Sequence, residues 1–326
     1  MERLAANGLE PRMRGGVADV VRQLCGVQAQ DAAAARLAIR ARTEGLIAAD
    51  VDAAPDVVRT WGWRGTLHLL AREDVPWVLS LVAERANRSV AARWRALGLD
   101  EAIFERASAA IVERLAAGPA TRAQLREALA AAGVDAGGQR LPHLVRRVAF
   151  EGLLHHPLDD TFAALELDGE PPRGSRALAE LARRHAAGYG PATPADVAAF
   201  SGLPRGQISQ SSTPESGAGL QGLTPVRGVG VRLLGAFDPY LLGYAGRGHA
   251  VAPEHARRVW PGGGWLHPVV LVDGMAAGTW RLEGGVLRVE PFGAIPARGL
   301  AAEAQDVGRF LGRAIAVELP GGGSVG

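Results

Sequence analysis

Two glutamines two positions apart, Gln28 and Gln30, have the side chains and the spacing best suited to chemistry. An amide oxygen can orient a water molecule or stabilise a positive charge, and an amide nitrogen can donate hydrogen bonds. On a helix the two side chains would point about 200° apart, but in an extended segment they share one side while Ala29 faces inward. The alternative is that both amides hydrogen-bond loop backbone.

The neighbouring residues favour the extended arrangement. Apolar residues recur from Val17 to Cys25 with the period of an amphipathic helix, which Gly26 can end. Asp31 can cap a second helix, expected from Ala32 to about Glu44. The glutamines therefore lie in a short break between two helices.

A second set of polar residues lies within an alternating run from Trp63 to Leu69. Alternation with a period of two predicts a half-buried strand, with its large apolar residues on one face and Arg64, Thr66 and His68 on the other. A helix is expected next, from Asp74 to about Arg95.

The middle of the chain predicts two winged helix-turn-helix units. In the first, helices over 101–117, 121–133 and 140–152 precede two strands around Asp159-Asp160, which would form the wing. The second repeats the order with a helix over 175–187, a helix capped by Thr193 and a short helix after Pro204. The segment 205–230, rich in Ser, Gly, Gln and Pro, is interpreted as a mobile loop or a degraded wing.

The C-terminal third favours strands. Residues 229–234, two hairpins over 269–280 and 279–290, and a closing helix over 300–314 predict a small meander or barrel. The fold class is therefore mainly α with β wings: tandem winged helix-turn-helix motifs plus a C-terminal β-barrel or meander. The expected domains are 1–100, 101–170, 171–230 and 231–315, followed by a tail over 316–326.

Composition excludes several kinds of site. All 36 basic residues are arginines, so a P-loop, a pyridoxal-phosphate Schiff base and a protein-kinase site cannot be built. The single Cys25 excludes an internal disulfide framework and a cysteine-based zinc cluster. The adjacent His155 and His156 would not share a face, so we expect neither a metal nor another cofactor.

The 326 residues suffice for about two domains or a series of smaller modules, and an apolar fraction of 48% is typical of a soluble globular protein. The charged start of the chain does not resemble a signal peptide, and no run of 18 apolar residues occurs. We therefore expect a cytoplasmic protein that does not engage a membrane.

Four further strings carry a family resemblance together with Gly26-Val-Gln-Ala-Gln30. They are Arg59-Thr-Trp-Gly-Trp-Arg-Gly-Thr-Leu-His-Leu69, Ala236-Phe-Asp-Pro-Tyr-Leu-Leu-Gly-Tyr244 and Pro268-Val-Val-Leu-Val-Asp-Gly274 with Gly278-Thr-Trp-Arg281. In this order and spacing the chain resembles the AlkZ/YcaQ-like winged-helix DNA glycosylases from about residue 15 to 315. That resemblance implies tandem winged-helix motifs, a C-terminal β-barrel and removal of alkylated purines. In some members it implies unhooking of interstrand crosslinks or self-protection by antibiotic producers.

The family's catalytic signature, glutamine–aliphatic–glutamine, falls on Gln28, Ala29 and Gln30. A purine alkylated at N7 or N3 is cationic and leaves as a neutral base, so orienting water and stabilising an oxocarbenium-like sugar would suffice. Amide oxygens suit both tasks. The chain has no lysine to attack the sugar and only the α-amino group remains, so we expect a monofunctional enzyme that uses water and has no lyase activity.

The implied partner is double-stranded DNA carrying alkylated purines, bound by a monomer. A net charge of +2 is low for a DNA-binding protein, so binding would depend on a localised arginine surface. The candidate DNA contacts are Arg64, Thr66, His68, Arg146, Arg147 and Arg281. The alternative for Arg146 and Arg147 is that they pair with Glu151 or other acids.

Two other functions remain open at this point. One is a non-catalytic winged-helix DNA-binding regulator in which the glutamines are structural. The other is a protein-interaction scaffold built from the same modules. The glutamine pair and the polar strand face favour the enzyme, and the sequence shows no dimerisation helix of the kind that regulators use on palindromic DNA.

Overall fold

The computed structural model describes residues 2–167, 169–211, 230–318 and 324–325. Their contacts divide the chain into two compact units. The first unit comprises Met1–Ala54 and Glu180–Gly326, and the second comprises Pro55–Ala179. The boundaries expected near residues 100, 170 and 230 concern smaller modules and stay predictions.

The described helices and strands are numbered separately in chain order. The helices are α1 (Glu2–Ala6), α2 (Val17–Gln23), α3 (Ala32–Arg42), α4 (Ala48–Asp52), α5 (Val75–Ala96), α6 (Glu101–Ala116), α7 (Arg122–Ala131), α8 (Arg140–Phe150), α9 (Gly174–Tyr189), α10 (Pro194–Ser201), α11 (Arg205–Ser211), α12 (Pro239–Leu242), α13 (Ala256–Val259) and α14 (Ala297–Leu311). The strands are β1 (Val27–Gln28), β2 (Val57–Trp61), β3 (Leu67–Ala71), β4 (Leu154–His155), β5 (Ala163–Ala164), β6 (Val231–Leu234), β7 (Val269–Val272), β8 (Met275–Glu283), β9 (Val286–Pro291), β10 (Ala316–Glu318) and β11 (Ser324–Val325).

The second unit begins with an antiparallel pair, β2 and β3, in which Val57 lies opposite Ala71. The long helix α5 follows, and then come three helices and the hairpin β4–β5. This order of α6, α7, α8 and hairpin agrees with the sequence prediction. The predicted capping box of α7 is also present, since Thr121 Oγ1 accepts from Gln124 N and Gln124 Oε1 accepts from Thr121 N.

One apolar core holds α6, α7 and α8 together. Leu125 and Leu129 of α7 and Leu141 and Leu144 of α8 are completely buried in it. These residues recur at three- and four-residue intervals, so each helix turns one apolar stripe towards the others. Trp94 of α5 belongs to the same core, and α5 therefore packs onto the three-helix group.

The first unit contains a sheet of six strands in the order β11–β10–β9–β8–β7–β6. Strands β6 to β9 form the predicted antiparallel meander, and Gly284-Gly285 makes the tight turn between β8 and β9. Among the described strands β6 and β11 are the two edges, which corresponds to the meander rather than a closed barrel. The amphipathic α14 packs on this sheet through Leu300, Ala304 and Val307.

The short helix expected after Pro204 is present as α11, which corrects the overlapping interpretation of residues 205–211 as part of a mobile loop. The rest of that segment, 212–229, lies outside the described residues. The expected start of the tail also needs correction. Residues 316–318 were assigned to the tail but form β10, which pairs in parallel with β9. No helix in the described part of the chain is long and apolar enough to cross a bilayer.

Candidate functional site

The glutamine pair lies between α2 and α3, as the sequence predicts. After α2 ends at Gln23, Cys25 and Gly26 adopt positive φ angles of 54° and 108°. Such angles do not continue a helix, so the chain leaves α2 here and enters the extended β1. Asp31 then caps α3 by accepting a hydrogen bond from Ala34 N at 3.0 Å. The segment is thus bounded by a helix at each end.

Exposure alternates along the segment. Val27 and Ala29 are completely buried, whereas Gln28 is half-buried and Gln30 is exposed. This is the alternation that the sequence predicts for an extended chain with Ala29 facing inward. A larger residue in place of Ala29 would have to fit a site that is already closed. Gln30 is therefore the amide of this segment that is most accessible to a ligand.

The prediction that Arg64, Thr66 and His68 share the polar face of one strand is wrong. Arg64 is exposed in a 3₁₀ turn, Trp63–Gly65, and has a positive φ of 54°. Thr66 precedes β3 and donates through its hydroxyl to the Trp63 carbonyl oxygen at 3.2 Å. His68 lies within β3, of which all five residues are buried. The turn breaks the alternation that a continuous strand would have kept.

His68 is only 1% exposed and is a neutral group. Burial, together with the nearby positive charge of Arg64, lowers the pKa of His68 to about 3. The ring places Nδ1 3.0 Å from the Thr66 carbonyl oxygen, so Nδ1 carries the proton and donates it. A buried neutral imidazole supplies no positive charge to a phosphate, which argues against the expected backbone contact.

Arg146 of α8 points into the second unit. Its Nη2 donates to the Ala86 carbonyl oxygen at 3.0 Å, and its guanidinium lies 4.7 Å from the centre of the Phe150 ring. Burial lowers the pKa of Arg146 to about 10. A Cβ on Gly65 would lie 3.1 Å from Nη2, so the glycine leaves room for this side chain.

Arg147 and Arg281 are engaged in ion pairs. Arg147 contacts Glu101 at 2.6 Å and Glu151 at 2.8 Å, which is the alternative that the sequence left open for it. Burial by itself would lower the pKa of Arg147, but hydrogen bonds and charges from Glu151 and Glu101 outweigh it and raise the pKa. Arg281, on β8, contacts Glu290 at 2.7 Å and Glu283 at 3.2 Å.

Sequence reasoning missed a set of arginines on α5. Arg85, Arg88 and Arg95 are exposed, and helical geometry places them within about 80° of arc along about 15 Å of helix. Arg88 pairs with Glu84, whereas no carboxylate of the described residues lies within ion-pair distance of Arg85 or Arg95. The signal was present in the sequence, since residues 85–96 contain four arginines and no acidic residue.

It also missed two buried ion pairs of the first unit. Arg42, at the end of α3, forms a bidentate pair with Asp238 at 2.8 and 2.9 Å, and both side chains are completely buried. Arg40 pairs with Glu303 and, at 2.9 Å, with Asp306. Arginines that bridge distant segments in this way leave no local pattern in the sequence.

The described part of the chain contains no group of three His, Cys, Asp or Glu side chains close enough to hold a metal ion.

Comparisons with known proteins identify the family. The AlkZ-like DNA glycosylase family matches residues 21–311. A curated relative from Streptomyces sahachiroi, an interstrand DNA cross-link repair glycosylase, is 28% identical over 95% of each chain. The solved structure of the Streptomyces sahachiroi DNA glycosylase AlkZ superposes with a TM-score of 0.78 at 26% identity and covers 97% of each chain. This chain belongs to the family of AlkZ-like DNA glycosylases.

Proposed function

We propose that this DNA glycosylase hydrolyses the N-glycosidic bond of cationic alkylated purines, N7-alkylguanines above all, with Gln28 and Gln30 as its catalytic residues. The observation that carries the proposal is the alternation of solvent exposure along the segment. Ala29 is completely buried, whereas Gln30 is exposed. An exposed and a half-buried amide on a short segment bounded by a helix at each end suit a site that must hold a water molecule in place.

The chemistry follows from the leaving group. An N7-alkylguanine carries a positive charge, and cleavage of its glycosidic bond releases it as a neutral base. The sugar then acquires oxocarbenium character, which an amide oxygen stabilises through its partial negative charge. A second amide oxygen accepts a hydrogen bond from the attacking water. Unmodified purines, which need protonation to leave, would be spared.

Water is the proposed nucleophile because the chain contains no lysine. The product would be an intact abasic site, with no strand break until alkali or an endonuclease is added. Trapping a covalent enzyme–DNA adduct with borohydride would contradict this part of the proposal.

We further propose that the enzyme acts on interstrand crosslinks and protects its host from a DNA-alkylating natural product. The name of the Streptomyces sahachiroi relative supports the first point, since that protein is a cross-link repair glycosylase. Expression in a sensitive host should raise survival after treatment with a bifunctional alkylating agent, and Gln28→Ala/Gln30→Ala should abolish the gain.

The domain organisation proposed for DNA binding is a series of winged-helix units. The order of α6, α7, α8 and the hairpin β4–β5 supports this for the second unit. The DNA contacts predicted from the sequence include four arginines, Arg64, Arg146, Arg147 and Arg281. Of these, Arg64 stays a proposed contact since it is exposed on its turn, whereas the other three are partly or fully engaged within the protein.

The test uses a duplex with a single N7-methylguanine and measures base release at saturating enzyme. Gln28→Ala and Gln30→Ala should each slow release by at least about 100-fold, Gln30→Ala more, with unchanged circular dichroism. Gln305→Ala, which removes an exposed glutamine from α14, is the matched control and should keep wild-type activity. Wild-type rates in both site variants would refute the mechanism, and duplex binding without base release by the wild type would favour the DNA-binding regulator.

A further inference from the structure

A buried tyrosine holds the turn that leads into the glutamine pair. Tyr189, the last residue of α9, is completely buried, and its hydroxyl donates a hydrogen bond to the Leu24 carbonyl oxygen at 3.0 Å. Leu24 directly precedes Cys25 and Gly26, the two residues with positive φ. The hydrogen bond therefore acts at the point where the chain leaves α2, four residues before Gln28.

The backbones of α9 and α2 also meet here without an intervening side chain. A Cβ on Gly188 would lie 2.1 Å from the Gln23 carbonyl oxygen, so only glycine allows this approach. The Gln23 amide donates to the Ala187 carbonyl oxygen at 3.1 Å, and the Asn7 amide donates to the Gly188 carbonyl oxygen at 2.9 Å. The end of α9 thus fixes the end of α2 through several contacts.

The tyrosine ring is held as firmly as its hydroxyl. It stacks on His185 with 4.6 Å between ring centres and an angle of 17° between the planes. On another side a Cβ on Gly243 would lie 2.1 Å from the ring, so the glycine makes room for it. Burial raises the pKa of Tyr189 well above its usual value, and the hydroxyl stays a hydrogen-bond donor throughout the neutral range.

The far end of the glutamine segment is fixed independently. Asp31 caps α3, and Arg42 at the other end of α3 is bound to Asp238 and to the side-chain oxygen of Asn7 at 2.6 Å. Asn7 also binds Gly188, so the supports of the two ends share one residue. With α3 held in this way, the freedom of the glutamines depends on the Leu24–Gly26 turn.

We propose that Tyr189 is a positioning residue for the glutamine pair, acting through the Leu24 carbonyl oxygen. The inference rests on the proposed function of Gln28 and Gln30 and adds a residue that does not touch DNA or the reacting atoms. An amide that orients water must be placed to within a fraction of an ångström, and small displacements cost rate rather than substrate affinity. Loss of the hydroxyl should therefore lower kcat and leave DNA binding as it is.

Tyr189→Phe removes the hydroxyl and keeps the ring stack, and Tyr244→Phe is its matched control. Tyr244 is buried in the same aromatic cluster, 5.7 Å from Tyr189 between ring centres, but its hydroxyl makes no hydrogen bond to any described residue. The two variants thus lose the same atom from the same cluster, and only one of them loses contact with the turn.

The experiment measures base release from the N7-methylguanine duplex and DNA affinity at a temperature where all variants are fully folded. Tyr189→Phe should lower kcat by about 10-fold to 100-fold with unchanged affinity. It should also speed amide hydrogen exchange in residues 25–28. Tyr244→Phe should match the wild type in all three measurements.

Three results would overturn the inference: an unchanged kcat in Tyr189→Phe, an equal loss of DNA affinity, or an equal loss of kcat in Tyr244→Phe. Failure of the proposed function is distinguishable, because it would appear as full activity in Gln28→Ala and Gln30→Ala. If those variants are inactive while Tyr189→Phe keeps wild-type kcat, the glutamine mechanism stands and the positioning role falls.

Discussion

The glutamine segment and strand β3 both place polar residues between apolar ones, yet only the glutamine segment turns them outward. Val27 and Ala29 are completely buried while Gln30 is exposed. In β3 every residue is buried, and His68 is as inaccessible as the leucines on either side of it. A similar pattern of residue types has therefore produced a surface in one region and part of the core in the other.

The difference lies in where each polar group finds its hydrogen bond. His68 can be buried because its Nδ1–H reaches the Thr66 carbonyl oxygen two residues back along the chain. Gln30 directly precedes Asp31, the residue that caps α3, and lies at the surface. Alternation with a period of two indicates extended chain, but solvent exposure depends on what covers each face.

The largest difference between the two regions should appear when His68 and Gln30 are each replaced by alanine, in separate variants. His68→Ala leaves a cavity and an unpaired Thr66 carbonyl oxygen, so we expect a loss of about 2–4 kcal/mol in the free energy of unfolding. Gln30→Ala should change it by no more than about 0.5 kcal/mol while abolishing base release. Chemical denaturation of both variants tests the contrast, which would fail if the two losses were equal.

Lowering the pH should also distinguish His68 from Gln30, through the effect of each residue on stability. The pKa of His68 is about 3 in the folded protein, below its ordinary value near 6.5, so between these values the unfolded chain binds a proton that the folded chain does not. Stability is therefore lost as pH falls below 6.5, by about 2 kcal/mol at pH 5 from this residue. His68→Ala should show a shallower decline between pH 7 and pH 5 than the wild type, whereas Gln30→Ala should follow the wild type. Parallel curves for all three proteins would contradict the assignment.

The arginines of α8 and α5 extend the comparison to charged residues. Arg146 donates to a backbone carbonyl and lies against Phe150, whereas Arg85 is exposed and has no carboxylate partner among the described residues. Arg146→Gln should cost about 1–2 kcal/mol of unfolding free energy, and Arg85→Gln should cost no more than about 0.5 kcal/mol. Thermal unfolding of the two variants distinguishes an arginine that stabilises the fold from one that is exposed to solvent.

The smallest expected effect is on the salt dependence of DNA binding. If α5 contacts phosphates, Arg85→Gln/Arg95→Gln should lower the slope of log affinity against log salt by up to about 2. The double variant Arg146→Ala/Arg147→Ala should leave the slope unchanged, because in the wild type each of these guanidiniums already has partners within the second unit. A reduced slope in the α8 variant, or an unchanged slope in the α5 variant, would reverse this assignment. Base release at saturating DNA should be normal in the α5 variant.

Local patterns predicted the elements well. The sequence predicted the helices α2, α3, α6, α7 and α8, the hairpin β4–β5 and the meander β6–β9. Caps, apolar periodicity and two-residue turns specify these elements, and each of these signals involves only a few neighbouring residues. The short helix after Pro204 was also expected and is present as α11, although the same residues had been included in a mobile loop over 205–230. Strand β10 was missed, because its partner β9 lies distant in sequence and no turn connects the two.

The sequence by itself determined the extended break that carries Gln28 and Gln30, because a helix end, a glycine and a capping aspartate specify it locally. It also determined the family resemblance that the comparisons confirm. The tertiary structure alone decided which polar residues meet solvent: it buried His68, enclosed Arg146, paired Arg147 and left Arg85 exposed. It also brought Tyr189 to the Leu24 carbonyl oxygen, 165 residues away along the chain. Burial and long-range hydrogen bonds depend on packing between distant segments, and no local spacing of residue types encodes them.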